Sequence, residues 1–333
     1  MKKIIMVLCC LCLTGCSFFR ASNNKNDNEI YTTTYPSKFL IDYLYGDNTT
    51  IYSIYPSGVD FKEYELSEKK LNEYAKSNLF VFNSQDIERD YAVKMININS
   101  NLRLIDVALN MKQINEVEEL WLNPYNYLMM AKNTKDSLNE YISNPYLNEE
   151  INNNFENLKY ELSRLDALYK ETLKDTNYTT IVTDNSLFKF LEKYNIEVIV
   201  LEEEIITITI KDEDNLSDIS KEYNISISDI LTYNNKTDES LKIGETIKLP
   251  IKVIDASDVL KVKKLINEEK IKYIYSDRTS SNEIVNNLVK DEELELITIN
   301  TMYSIDGGVT NSNETYLTIM NDNLELLKKE LYK

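Results

Sequence analysis

An α/β protein with two parallel-sheet lobes joined by one long helix, and a small βααβ insertion in the C-terminal lobe, is the fold the sequence predicts. Three observations predict it. Short apolar strands alternate with amphipathic stretches in both halves of the chain; one unbroken helical periodicity separates the two sets; and a strand-helix-helix-strand pattern interrupts the second set.

The chain opens with Lys2 and Lys3, an uncharged apolar run from Ile4 to Leu13, and then Leu13-Thr14-Gly15-Cys16. This is the pattern of a secretory signal, residues 1–15, ending in a lipobox; the run is too short to span a bilayer. Cleavage before Cys16 would free its thiol for acylation, so the mature chain is expected to be lipid-anchored outside the cytoplasm on a bacterial cell membrane. Residues 16–28, rich in Ser, Asn, Asp and Lys, read as a polar tether. Cys9, Cys10 and Cys12 fall in the leader and Cys16 takes the lipid, which leaves no free thiol and excludes disulfides and thiol catalysis.

Loss of Lys2 and Lys3 takes the formal charge from -18 to -20. So acidic a body is repelled by nucleic acid and by anionic lipid, and the acyl group rather than charge provides attachment. A monomer is expected. The abundance of Asn, Ile, Lys and Tyr reads as coding bias.

The N-terminal lobe, residues 29–145, carries strands at Glu29–Thr34, Thr50–Tyr55, Leu79–Asn83 and Leu102–Val107, with helical spacing between them. From Asn148 to Lys174 the apolar positions Ile151, Phe155, Leu158, Leu162, Leu165, Leu168 and Leu173 recur every three to four residues. A single helix, assigned to residues 146–175, then spans roughly 40 Å and bridges the lobes. The C-terminal lobe, residues 176–204 and 253–333, has strands at Thr179–Thr183, Glu197–Leu201, Lys272–Tyr275 and Leu294–Ile299. Its helices fall at Ser186–Tyr194, Ser257–Glu269, Ser281–Leu288 and Asn313–Leu331.

Residues 205–252 read strand, helix, helix, strand between Glu202-Glu203-Glu204 and Pro250, a module placed in a surface loop where insertion is tolerated. Its expected core is Ile208, Leu216, Ile219, Ile227, Ile230, Leu231 and Leu249. The acidic runs at 202–204 and 291–293 read as solvated faces. No phosphate loop, nucleophile elbow or paired-carboxylate motif stands out, and the chain has no histidine, so an enzyme is not expected.

Within the module, Thr207-Ile208-Thr209-Ile210-Lys211, Asn215-Leu216-Ser217-Asp218-Ile219-Ser220, Tyr223 to Leu231, Asn234-Asn235 and Leu241 to Pro250 resemble, in order and spacing, a LysM domain. That family is a βααβ fold that binds N-acetylglucosamine-containing glycans such as peptidoglycan. The resemblance implies a sugar groove near Asp214, Asn215, Tyr233 and Asn234. Glu213 stands where the family usually has a glycine, and a spacer or protein-docking role is the other reading of the module.

The two-lobed body resembles the zinc/manganese ABC-transporter solute-binding lipoproteins, the cluster A-I type. Pro56-Ser57-Gly58-Val59-Asp60-Phe61-Lys62-Glu63-Tyr64-Glu65-Leu66-Ser67 is similar to that family's Pro-Pro-Gly-Ala-Asp-Pro-His-Thr-Tyr-Glu-Pro-Thr. Glu118-Glu119-Leu120-Trp121-Leu122-Asn123-Pro124, with Asn126, is similar to Pro-His-x-Trp-Leu-Asp-Pro-x-Asn. Ile181 to Phe188 resembles a strand that ends in a histidine before a helix, and Ile299-Asn300-Thr301-Met302 the last strand, which ends in an aspartate. By this resemblance the metal positions hold Lys62, Glu119, Asn185 and Asn300, or Thr301 in place of Asn300.

The family implies zinc or manganese as cargo and an ABC permease as partner. Tight zinc binding needs three or four converging donors, usually with imidazoles, and only Glu119 among these four is a good one. An oxygen-ligand manganese or calcium site with Glu119, Asp184 and the asparagines is the remaining metal reading, and the cation of Lys62 opposes it. Two further expectations stay open: Lys62 and Glu119 pair across the cleft, holding it together or binding a zwitterionic or polar solute, or both side chains face solvent. The leading functional expectation is a solute-binding lipoprotein with its metal ligands replaced. The alternative is a cell-wall interaction protein whose body is a scaffold.

Overall fold

The computed structural model describes residues 29–46, 49–56, 59, 64–84, 87–112, 120–277, 282–302 and 314–333. The leader, the tether, Cys16, Lys62 and Glu119 lie outside them.

In the N-lobe the order is β1 (Glu29–Thr32), α1 (Tyr35–Tyr45), β2 (Thr50–Ser53), α2 (Glu68–Tyr74), β3 (Leu79–Phe82), α3 (Glu88–Ile98) and β4 (Arg103–Asp106). The strands form one parallel sheet in the order β2-β1-β3-β4. Central β3, Leu-Phe-Val-Phe, is buried at every position, as a strand covered by helices on both faces must be. Two helices follow: α4 (Pro124–Tyr141) and α5 (Pro145–Thr172).

The C-lobe repeats the plan with β5 (Thr180–Thr183), a 3-10 helix at Ser186–Tyr194, β6 (Glu197–Val200), α8 (Ala256–Asn267), β9 (Tyr273–Asp277), α9 (Glu283–Asp291), β10 (Glu295–Ile299) and α10 (Tyr316–Leu331). Its parallel order is β10-β9-β5-β6, the same topology as the first sheet. In each sheet the strand order reverses between the first and third strands of the set, and ligands of open α/β sheets gather outside the carboxyl ends at such a switch point. Between β6 and α8 the chain leaves this sheet for β7 (Glu204–Thr209), α6 (Leu216–Tyr223), α7 (Ile227–Tyr233) and β8 (Thr246–Val253), with β7 and β8 antiparallel.

Helix α5 is 28 residues, about 42 Å long. Asn144 starts it by accepting the Tyr146 and Leu147 N–H groups, and Pro145 sits where a missing donor costs nothing. It buries Ile151, Leu158, Leu162, Leu165 and Tyr169 in one line, while Leu168 is 39% exposed. Asn154 donates to the Leu44 carbonyl of α1 at 3.2 Å, and the Tyr169 hydroxyl donates to Met320 O of α10 at 2.8 Å, so the helix is tied to both lobes. One continuous core runs from Ile30 to Leu331 through both; a second lies under α8 and α9, and a third belongs to β7–β8.

Four features differ from the sequence reading. A helix the sequence reading does not name, α4, follows the Trp121-Leu122-Asn123-Pro124 motif, because Pro124 starts a helix of its own and residues 142–144 break it from α5. The segment Ser186–Tyr194 winds as a 3-10 helix rather than an α-helix. The third core is centred on Ile210, Leu216, Ile219, Ile230, Ile247 and Leu249, whereas Ile208, Ile227 and Leu231 are only partly buried at its edge. Glu203 is not a solvated face: its side chain is 11% exposed, pairs with Lys252 at 2.9 Å and accepts the Glu283 N–H that opens α9.

The buried line of α5 predicts that Leu158→Ala destabilises the protein by about 2–5 kcal/mol. Leu168→Ala, at a part-exposed position, should stay within about 0.5 kcal/mol of wild type. Urea unfolding followed by circular dichroism checks both, and equal losses at the two positions would contradict this packing.

Candidate functional site

The carboxyl edge of the C-lobe sheet collects the polar side chains. Asp184 and Asn185 follow β5, Asp277 ends β9, and Asn300 and Thr301 follow β10. Asp184 and Asp277 are buried, as are Ser276 and Thr301. A buried carboxylate needs donors, and here hydroxyls supply them: Ser276 Oγ donates to Asp184 Oδ2, and Thr301 Oγ1 donates to Asp277 Oδ1. The row from Asp184 through Ser276 and Asp277 to Thr301 thus crosses three adjacent strand ends at the switch point.

The two asparagines expected at metal positions make other contacts. Asn185 is the N-cap of the 3-10 helix: its Oδ1 accepts the Leu187 N–H at 3.0 Å and its Nδ2 donates to Asp184 at 2.7 Å. Asn300 Oδ1 accepts the Met302 N–H at 2.9 Å, and Asn323 brackets its backbone by accepting from Asn300 N and donating to Asn300 O. Both amide oxygens, weak donors for a transition ion in any case, face their own backbone. Among the described residues no group of three or more His, Cys, Asp or Glu is placed to hold a metal ion.

The N-lobe meets this edge through the buried Trp121. Its indole N–H donates to the Thr301 carbonyl at 2.9 Å, and the Tyr316 hydroxyl donates back to Trp121 O at 2.6 Å. Tyr316 stacks on Tyr127 with ring centroids 3.8 Å apart, and the Tyr127 hydroxyl donates to Pro36 O.

A second cross-lobe knot lies beside it. Lys193 Nζ donates to Asn123 Oδ1 at 2.9 Å and to Asp166 Oδ1 at 3.1 Å, and its ammonium sits 5.0 Å from the Tyr125 ring centre. The Tyr194 hydroxyl and Lys170 also donate to Asp166. Burial alone would raise the Asp166 carboxyl, but the donors Lys170, Lys193 and Tyr194 outweigh it and hold the group below the usual aspartate range. Sequence reading missed this knot; Asn123-Pro124, an N-cap before proline, was its visible signal.

Three of the four residues expected at a sugar groove hold nearby backbone. Asp214 accepts the Lys211 N–H, Asn215 caps α6 through the Asp218 N–H, and Asn234 ties Ile230 O to both backbone groups of Lys248. Tyr233 alone is free of such work, is 43% exposed, and lines a groove with Tyr223 and Pro250. Glu213 has φ +75°, the left-handed region that a glycine there would enter without strain. The pairing expected of Lys62 and Glu119, and the anchor at Cys16, fall outside the described residues.

Residues 30–243 match the family model described as zinc-uptake complex component A, periplasmic. The chain is 22% identical to the zinc-binding lipoprotein AdcA of Streptococcus pneumoniae over 99% of its own length, and spans 61% of that relative. It is 20% identical to the high-affinity zinc uptake system protein ZnuA of Bacillus subtilis over 98% of this chain and 96% of that one. The crystal structure of the Zn(II)-bound ZnuA-like domain of Streptococcus pneumoniae AdcA superposes with TM-score 0.66 at 19% identity, covering 92% of this chain and all of that domain.

Two predictions follow from the geometry. Because the Asp166 carboxyl is held below its unfolded value, its stabilisation is complete above the ordinary aspartate range and is lost as pH falls through the folded value. Asp166→Asn should therefore flatten the acid limb of a stability-against-pH curve, and an unchanged limb would remove Asp166 as its source. Glu213→Gly relieves about 1–2 kcal/mol of left-handed strain against about 0.5–1 kcal/mol of added chain entropy, so scanning calorimetry should show the module melting higher; a lower melting point would contradict the strain.

Proposed function

The chain belongs to the family of the periplasmic zinc-uptake component A, a family of binding components and not of enzymes, and on that premise we propose that it is the solute-binding lipoprotein of an ABC importer working without the family's tight zinc site. The observation that carries this reading is the retained frame with replaced donors. Both sheets share one topology, and the motif resemblance puts Lys62, Glu119, Asn185 and Asn300 where the family has three histidines and an aspartate. A cation and neutral amides in those places disfavour Zn(II) and Mn(II) and suit a zwitterionic or polar solute, which Lys62 and Glu119 would meet with opposite charges. The acylated Cys16 would hold the mature chain to the outer face of the cell membrane as a monomer, within reach of a permease. No described helix is long and apolar enough to cross a membrane.

Isothermal titration calorimetry of the mature protein with zinc and manganese tests this directly. Wild type is expected to give no stoichiometric sub-micromolar binding. The variant Lys62→His/Glu119→His/Asn185→His/Asn300→Asp should gain zinc binding, because it restores the donor set on the same frame. Tight zinc binding by wild type would overturn the proposal.

A second reading is favoured by the module. Residues 205–252 have a core of their own and are fastened to α9 through Glu203, which supports a glycan-binding unit carried by the C-lobe, with peptidoglycan as its partner and the body as its scaffold. Co-sedimentation of the mature protein with purified peptidoglycan checks it; retention that survives deletion of residues 205–252 would exclude the module as the cause.

A further inference from the structure

The outer face of α5 carries a ridge that no described element covers. Tyr146, Glu150, Asn153 and Asn157, then Tyr160, Arg164 and Leu168, follow one another at steps of three or four residues, which puts them on one face of the helix. All are exposed, Tyr146 by 84% and Tyr160 by 65%, so the ridge stands clear of both lobes. Its residues complement themselves when the helix is reversed. About Asn157, Glu150 lies seven residues to one side and Arg164 seven to the other, while Tyr146 and Leu168 each lie eleven away. Beside Leu168 a hollow of about 290 Å³ opens between α5 and α10, with Leu165, Leu168 and Leu317 in its wall.

We propose that a second copy of this chain docks on this ridge, α5 against α5, antiparallel about a two-fold axis through Asn157. Helices pack at about 8–10 Å between axes, and in that arrangement Glu150 meets the partner's Arg164 on each side of the axis. Tyr146 reaches the partner's Leu168 and enters the hollow beside it, as an aromatic anchor fills a pocket. Asn153 meets the partner's Tyr160, and the two Asn157 amides face each other on the axis. One asparagine layer in such a seam fixes its register. A parallel pair would instead set like charges together, Glu150 on the partner's Glu150 and Arg164 on the partner's Arg164. Within its own helix Arg164 pairs with Glu161 at 3.2 Å, but an exposed pair of this kind contributes little and yields to a better-placed carboxylate. The acidic bodies repel each other, and physiological salt screens that repulsion beyond about 8 Å. One helix against one helix is at the small end of specific interfaces. The chain therefore stays a monomer when dilute and pairs when concentrated, as copies anchored on one membrane are.

Cysteine cross-linking tests the pairing, because the mature chain with Cys16→Ser has no other thiol. Facing Cα atoms of two packed helices lie about 5 Å apart, within disulfide reach, so Asn157→Cys should give a covalent dimer on mild oxidation in concentrated solution. Ser163→Cys is exposed on the same helix but about 18 Å from its twin in this arrangement, and should give about tenfold less dimer or lower. Glu150→Arg or Arg164→Glu, each added to Asn157→Cys, should cut the yield about tenfold, and the two together should restore it. All these positions are exposed, so circular dichroism should show the fold unchanged. Equal yields at positions 157 and 163 would mean random collision and overturn the proposal. Single charge reversals that leave the yield intact, or a double reversal no better than the singles, would overturn it as well.

Discussion

A buried indole N–H must find an acceptor, and Trp121 finds it 180 residues away at the Thr301 carbonyl. That single requirement sets the relation of the lobes. Thr301 follows the last strand of the C-lobe sheet and shares the Asp277 carboxylate; Trp121 precedes α4 in the N-lobe; Tyr316, at the start of α10, closes the loop by donating to Trp121 O. The position of β10's end, the seating of α10 and the entry of α4 are thereby one arrangement. The core that fills the space around it is continuous across both lobes.

The knot at Asp166 works beside this contact by different physics. A carboxylate on the bridging helix is nearly removed from water and is kept charged by three donors, one of which also reaches Asn123. Breaking one partner of such a group leaves a buried charge unmatched, which costs more than the contact itself contributes. Orientation of the lobes is therefore guarded by one contact insensitive to acid and another sensitive to it.

Periodicity made the strands and α5 legible from the residues: β3 is apolar throughout, and the buried line of α5 falls on the spacing read along it. Helix α4 escaped because Asn, Lys and Thr interrupt its apolar face, although Asn123-Pro124 announced its start. The asparagines carry the larger lesson. Their abundance reads as composition, yet Asn123, Asn144, Asn185, Asn215 and Asn282 each begin a helix by accepting a backbone N–H. Asn185, expected from the motif resemblance at a metal position, is a helix cap in this fold, and sequence spacing could not tell that its oxygen would serve the Leu187 N–H. The expected sugar residues illustrate the same limit: Asp214, Asn215 and Asn234 lie near the loops the pattern indicates, but their hydrogen bonds turn inward.

The lone tryptophan of the chain is the residue that joins the lobes. Any opening of the cleft that parts Trp121 from Thr301 would bring the ring toward water, and no other indole would dilute the change. The molecule thus carries its own optical gauge of lobe separation, readable by ultraviolet emission without a label and usable to screen candidate solutes before any of them is known.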